Sequence, residues 1–145
     1  MTDGPVLLDS DTLSEVSRGH ARVCSRTRRY LEQQGRLTIS AVSVFERLRG
    51  YRAALRDGKP FEAQREQFEA LARACVVLPV DGAVADHAAT LWAHLAARPR
   101  RAVGDILIAA TAWANGLPLV THNRRDFEPM SRIRGVDLIL LDWTR

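Results

Sequence analysis

Short apolar runs that alternate with helical patterns are the feature that most constrains how this chain of 145 residues can fold. Each run is short and rich in Val, Leu and Ile, which predicts a buried strand. Parallel strands need long crossover connections, usually helices, and these connections are right-handed. We therefore predict a three-layer α/β/α fold. Its central parallel sheet has about five strands, at residues 6–8, 37–39, 76–80, 119–121 and 136–141.

Residues between these runs predict where several elements begin and end. Thr12 followed by Glu15 fits a capping box at the start of the first helix. Ser40 and Asp81 are suited to cap the helices that follow the second and third strands. Pro79 has no N–H to donate to a neighbouring strand, so we expect the third strand to lie at the edge of the sheet or to end there.

The composition is that of an ordinary globular protein, with 46% hydrophobic and 26% charged residues. The length fits one domain that spans residues 1–145. No apolar stretch approaches the ~20 residues needed to cross a bilayer, and no secretory signal is visible at the N-terminus. Cys24 and Cys75 stand alone, as expected for reduced thiols. We therefore expect a cytoplasmic protein with no membrane partner.

The basic residues are almost all arginines, and the formal net charge is +4 with a pI near 9.8. Arginine makes bidentate contacts with phosphate, which suits a polyanionic partner, although a GC-rich genome explains the same composition equally well. Arg22, Arg26 and Arg29 follow helical spacing on one face. That face is expected to contact RNA, to contact an acidic protein segment, or simply to be solvated.

Four acidic positions lie within or beside apolar segments: Asp9, Glu46, Asp105, and the pair Asn123 and Asp126. Carboxylates are costly to desolvate, and two unit charges about 4 Å apart repel by roughly 4 kcal/mol at an effective dielectric constant near 20. Ligands of a parallel sheet bind beyond the carboxyl ends of its strands, where these positions can meet. Taken singly, each acid also fits a cap or a turn. Together they predict a site for a cation with oxygen ligands, Mg²⁺ or Mn²⁺.

Other catalytic chemistries lack their motifs in this sequence. It contains no G-x-S-x-G nucleophile elbow, no Walker A loop and no G-x-G-x-x-G dinucleotide loop. Neither cysteine has a catalytic setting. Metal chemistry on carboxylates therefore remains the best supported interpretation.

The same segments carry a resemblance to a known family. LLDSDTLSE, ISAVSVFERLRG, GDILIAATA and LVTHNRRDF resemble, in this order and at normal spacing, the four motifs of PIN-domain nucleases. The likeness is to the VapC-type toxins of type II toxin–antitoxin systems, in the subgroup that includes FitB, and it covers nearly the whole chain. Each motif is loose by itself, whereas four in order are fairly specific.

This resemblance implies a metal-dependent ribonuclease. Asp9, Glu46 and Asp105 match the family's three best-defined metal-binding acids, and Asn123 and Asp126 share a fourth position that varies among its members. The acids Asp9, Glu46, Asp105 and Asp126 would be catalytic and, with Asn123, would hold one or two Mg²⁺ or Mn²⁺ ions. The implied reaction is hydrolysis of an RNA phosphodiester bond.

The resemblance also implies partners. A homodimer is expected, neutralised by a small VapB-like antitoxin whose C-terminal segment lies near the active site. Arginines next to two of the acidic positions are candidates for contacts with RNA phosphates: Arg98, Arg100, Arg101, Arg124 and Arg125. Asp11 departs from the family's usual Asn or Ser, and either caps a helix or adds charge to the site.

Two alternatives remain open from the sequence. A haloacid-dehalogenase-like phosphatase would use the D-x-D of Asp9 and Asp11 and the late acid Asp105, but it needs a catalytic lysine late in the chain. The only lysine, Lys59, falls in a predicted turn, and that interpretation leaves Glu46 without a role. The other alternative is a catalytically inactive PIN-like domain that only binds.

Overall fold

The computed structural model describes residues 4–95 and 103–145. Within these residues, no helix combines the length and the hydropathy that a membrane span requires. The elements, in chain order, are β1 (Leu7–Leu8), α1 (Ser10–Arg18), α2 (Ala21–Gln34), β2 (Thr38–Ser40), α3 (Ala41–Arg56), α4 (Glu62–Ala74), β3 (Val76–Leu78), α5 (Gly82–His94), α6 (Val103–Ala114), β4 (Leu119–Val120), α7 (Arg124–Ser131) and β5 (Leu140–Leu141).

The five strands form one parallel sheet in the order β3-β2-β1-β4-β5. This confirms the predicted α/β fold with its central parallel sheet. The strand β3 is an edge strand that ends at Leu78, immediately before Pro79, as expected from the missing N–H of proline. The central strand β1 pairs with β2 on one side and with β4 on the other. The first three strands are added towards one edge of the sheet and the last two towards the other, so the order of strand addition reverses between β1 and β4.

Alternate residues of the strands build two separate hydrophobic cores, one on each face of the sheet. Leu7 of β1 and Leu119 of β4 point into one core, with residues of α5, α6 and α7. Leu8 and Val120, the next residue of each strand, point into the other core, with residues of α1, α2 and α4. Both faces are therefore covered, which gives the three predicted layers.

All five strands lie where the sequence predicts them, but their ends differ by one residue or more. The strand β5 is limited to Leu140–Leu141, although the apolar pattern begins at Val136. Helix α7 runs from Arg124 to Ser131 and contains Pro129. Proline removes one backbone hydrogen bond, but the buried side chains of Phe127 and Met130 hold the helix on the core on both sides of it.

The residues that cap the helices agree only in part with those predicted from the sequence. Ser40 caps α3 and Asp81 caps α5, as predicted, each accepting a hydrogen bond from a backbone N–H of the following turn. The predicted capping box at Thr12 is wrong, because Asp9 caps α1 and its Oδ1 accepts from the Thr12 N–H at 2.7 Å. The helix begins earlier than the Thr–Glu pattern suggested, since the strand leads into it directly.

Candidate active site

The acidic positions are delivered by elements that leave the carboxyl edge of the sheet. Asp9 directly follows β1, and Asn123 and Asp126 follow the neighbouring strand β4. Glu46 lies in the second turn of α3, which continues from β2. Asp105 lies in the first turn of α6. The point where the direction of the chain reverses, between β1 and β4, is where open α/β sheets bind their ligands.

Electrostatics show that these carboxylates lie close to one another. Burial raises the pKa of Asp105 from 3.8 to about 6, and Asp126, Glu46, Asp11 and Asp9 contribute to that rise by repulsion. Charges act on one another over roughly 10 Å at physiological salt, so these side chains lie in one neighbourhood without being in mutual contact. The structure therefore gathers the four predicted acids in one place, and Asp11 adds to their charge.

Asp9 is the most buried of the acids, with 2% of its surface exposed. Burial raises the pKa of its carboxyl, while hydrogen bonds from Thr121 and Thr12 partly offset that effect. Because Oδ1 accepts the Thr12 N–H, one carboxylate oxygen is engaged in capping α1. Asp9 thus serves as a helix cap in addition to being an acid of the site.

Sequence reasoning missed two serines beside Glu46: Ser10 holds the carboxylate, and Ser43 bonds to Ser10. Ser10 Oγ donates to Glu46 Oε1 at 2.8 Å and lies 2.9 Å from Ser43 Oγ, which is fully buried. Ser43 precedes Glu46 by three residues on α3, so the two share a helix face. That spacing was visible in the sequence. The approach of Ser10 was not, because it depends on the packing of α1 against α3.

Gly104 allows the first turn of α6 to approach Glu46. A Cβ atom built on Gly104 would lie 2.4 Å from Glu46 Oε2 and 3.2 Å from its Cδ. Any side chain at this position would therefore displace the carboxylate. The close approach also puts Glu46 beside the start of a helix, where the exposed N–H groups favour negative charge.

Asn123 and Asp126 are joined by a hydrogen bond. The Asn123 Nδ2 amide donates to Asp126 Oδ2 at 2.8 Å, and the Asn123 backbone N–H donates to the hydroxyl of buried Thr121 at 2.9 Å. Thr121 also bonds to Asp9. Asn123 is therefore fixed at the end of β4, in a position that orients the carboxylate of Asp126.

The candidate arginines differ in their settings. Arg124 pairs with Glu128 at 3.1 Å, one turn further along α7, whereas Arg125 is exposed. Arg98, Arg100 and Arg101 lie outside the described residues.

The donor set of this site is made of oxygen atoms, which suits Mg²⁺ or Mn²⁺ better than a thiophilic metal. Within residues 4–95 and 103–145, no three acidic, histidine or cysteine side chains converge tightly enough to enclose an ion. The carboxylates instead accept hydrogen bonds from neutral groups, as Glu46 does from Ser10 and Asp126 does from Asn123. Burial and then repulsion from the other acids raise the pKa of Asp105, and a bound cation would relieve that repulsion, so the residues fit such an ion.

Comparisons with known proteins agree with this geometry. The PIN domain model matches residues 6–133. The chain is 35% identical over 111 residues to the tRNA(fMet)-specific endonuclease VapC of Shigella flexneri, which covers 75% of this chain and 80% of that protein.

Solved structures show the same fold. The VapBC-1 structure from nontypeable Haemophilus influenzae superposes with a TM-score of 0.78 at 21% identity, over 98% of this chain and 100% of that one. FitAB bound to an IR36 DNA fragment gives a TM-score of 0.73 at 26% identity, over 97% of this chain and 96% of that one. The family match and the identity to the Shigella protein show that this chain belongs to the PIN-domain family and, within it, to the VapC proteins.

Proposed function

We propose that this protein is a metal-dependent endoribonuclease that hydrolyses RNA phosphodiester bonds and acts as the toxin of a toxin–antitoxin pair. The observation that carries the proposal is that Asp9, Glu46, Asp105 and Asp126 are brought to one edge of the sheet, where burial and their repulsion raise the pKa of Asp105 to about 6. The similarity to a VapC endonuclease that acts on tRNA supports it.

Asp9, Glu46 and Asp105 would hold one or two Mg²⁺ or Mn²⁺ ions, with Asp126 or Asn123 completing the ligand set. When bound, these ions would supply the positive charge that activates an attacking water and stabilises the leaving oxygen. This arrangement leaves distinct tasks for the protein groups around the acids.

Neighbouring groups orient the acids before any substrate arrives. Ser10 holds one oxygen of Glu46, and the amide of Asn123 holds one oxygen of Asp126. Fixed carboxylates need not reorganise during the reaction, which is the main way a protein stabilises a charged transition state. Exposed Arg125, and Arg124 after release from Glu128, would contact the phosphates on either side of the cleaved bond.

We further propose that the whole chain, residues 1–145, works as one PIN-like domain, in a cytoplasmic homodimer neutralised by a VapB-like antitoxin. An apolar surface beside Glu46 suits dimer formation. Its residues Phe45, Val103 and Val80 are 60%, 57% and 42% exposed. Patches of this kind mark protein contacts. The solved relatives are themselves toxin–antitoxin complexes, VapBC and FitAB.

The phosphatase alternative finds no support. Lys59, the only lysine of the sequence, is exposed in the turn between α3 and α4 and precedes Asp105, whereas that interpretation needs a lysine late in the chain. The family match is to PIN domains, not to haloacid dehalogenases.

The decisive experiment replaces single carboxylates by amides, which removes the charge and keeps the size of the side chain. Asp9→Asn and Asp105→Asn should each abolish RNA cleavage in Mg²⁺ or Mn²⁺, while circular dichroism shows an unchanged fold. Asp86→Asn, on the exposed face of α5, is the matched control and should cleave normally. Full activity in Asp9→Asn or Asp105→Asn, or cleavage by the wild type in excess EDTA, would contradict the proposal.

The biological role needs a separate test. Expression of the wild type should arrest growth, and co-expression of the adjacent small gene product should relieve the arrest. A wild type that binds that product but cleaves no RNA in either metal would instead support the inactive binding domain.

A further inference from the structure

A second charged feature lies away from the acids, on helix α2. An open cleft of about 590 Å³ is lined by Arg22, Arg26, Arg28, Arg29 and Arg145, with Glu32 as its acid; we call it the arginine cleft. Within the described part of the chain, no carboxylate forms an ion pair with Arg22, Arg28 or Arg29. Five arginines thus face one lining acid, and only Arg145 among them pairs with another carboxylate, that of Asp142 at 3.5 Å, among the ion pairs of the described residues, so the cleft keeps a net positive charge.

The C-terminal tail forms one wall of the arginine cleft and is fixed in place. Trp143 is buried and packs against Tyr30 of α2, with the ring centroids 5.6 Å apart. Beyond it, Arg26 donates a hydrogen bond to the main-chain oxygen of Arg145 at 2.6 Å. The cleft is thus assembled from two distant parts of the sequence rather than from one helix face alone.

One wall of the arginine cleft comes from the chain segment that leaves the sheet at the edge carrying the acids. Its Arg145 comes three residues after Asp142, which directly follows β5 at the carboxyl edge. Arg26 of α2 bonds to Arg145, whereas Tyr30, one turn further along α2, accepts from the Val6 N–H just before β1. Helix α2 therefore runs along the sheet between its two edges, and none of the acids of the candidate site lines the cleft.

The chemistry of the lining selects a nucleic-acid backbone over a protein. Apart from the arginines and Glu32, the cleft is lined by Ser25, and none of its lining residues is apolar. Protein interfaces are built around an apolar core, whereas nucleic-acid interfaces are polar and strongly positive. Arg22 and Arg26 lie one helical turn apart, about 6 Å along the axis, so they can contact successive phosphates of one strand.

We propose that the arginine cleft binds the sugar–phosphate backbone of the RNA substrate at a distance from the cleaved bond. This inference rests on the proposed ribonuclease function and adds a second binding area to it. Such binding adds affinity without reading sequence, and it makes the affinity dependent on salt.

The test combines salt dependence with substrate length. In an Asp105→Asn background, R22A/R28A/R29A should bind a structured RNA of tRNA size more weakly. In a plot of the logarithm of the RNA association constant against log[salt], the magnitude of the slope should decrease by about 2 to 3. Each phosphate that the protein no longer neutralises accounts for roughly 0.7 to 0.9 of this decrease. R22K/R28K/R29K should keep most of the slope. These variants leave Arg26 and its bond to Arg145 intact.

In the otherwise wild-type enzyme, R22A/R28A/R29A should lower kcat/KM at least tenfold for the long RNA and leave it unchanged for an oligonucleotide of a few nucleotides. The control R52A/R73A/R134A removes the same charge from exposed arginines elsewhere and should have little effect. If the two triple variants had equal RNA affinity and equal kcat/KM for the long RNA, the cleft proposal would be overturned. It would also be overturned if R22A/R28A/R29A bound RNA normally and bound the antitoxin more weakly. Absence of RNA cleavage by the wild type would instead overturn the ribonuclease function itself.

Discussion

Replacement of Gly104 by alanine should separate the stability of this protein from its activity. The new Cβ would lie 2.4 Å from Glu46 Oε2 and 3.2 Å from Cδ, where ordinary contacts are 3.4–4 Å. The carboxylate must therefore retreat by about 1 Å. The obstacle is the end of a flexible side chain and not backbone, so the helix itself need not move.

The two consequences of this change have opposite signs. Alanine is favoured over glycine in a helix by up to about 1 kcal/mol, so the free energy of unfolding should stay constant or rise by less than that amount. This corresponds to at most a few degrees in Tm for a chain of this length. Catalysis should fall on the order of 100-fold, because a misplacement of about 1 Å at a reacting centre has that effect.

The assay is thermal unfolding together with kcat for RNA cleavage in saturating Mn²⁺. Gly82→Ala is the matched control: Gly82 is the first residue of α5, a Cβ there meets nothing within 4 Å, and activity should be unchanged. Combining Gly104→Ala with Glu46→Asp, which shortens the displaced side chain, should recover part of the activity. Full activity in Gly104→Ala, or a large drop in stability, would refute the reasoning.

Three further predictions concern single residues. Asp105 has a raised pKa, so its ionisation lowers the free energy of unfolding as pH rises through about 6. In EDTA, Asp105→Asn should therefore be more stable than the wild type at pH 7.5, by about 1–2 kcal/mol after screening, and equally stable below pH 3.8. Urea unfolding measures this difference, and a difference that does not change with pH would contradict the prediction. Tyr30→Phe should cost about 1–2 kcal/mol in the same measurement, because the Tyr30 hydroxyl accepts the buried Val6 N–H at 3.1 Å. Thr27→Val should raise Tm slightly, since the buried Thr27 Oγ1 has no hydrogen-bond partner within the described residues; a lower Tm would show that the hydroxyl is satisfied.

Periodicity was sufficient to predict the sheet and the edge at which the acids meet. Short apolar runs define the strands, and parallel strands present their carboxyl ends together, so Asp9 and Asp126 could be placed at one edge from the sequence. Strand limits were less accurate. The run from Val136 is apolar, yet only Leu140–Leu141 pairs with β4, because pairing depends on where the neighbouring strand ends.

The supporting contacts could not be predicted, because they depend on how helices pack. Ser10 reaches Glu46 and Ser43 only after α1 and α3 come together. Gly104 reads as an ordinary residue before a helical acid, and its role appears only when α6 lies against α3. Sequence reasoning identifies the charged groups of a site more readily than the neutral groups that orient them.

Asp9 has two roles in this proposal: its Oδ1 caps α1, and its charge serves the chemistry of the site. Selection for a folded protein alone would retain an acceptor of the same length at position 9, which asparagine provides, and selection for catalysis adds the requirement for charge. A lineage that lost the enzymatic activity but kept the domain would therefore be expected to drift from Asp to Asn here, and not to Ala or Gly. Asparagine at this position in a descendant would mark a domain retained for binding.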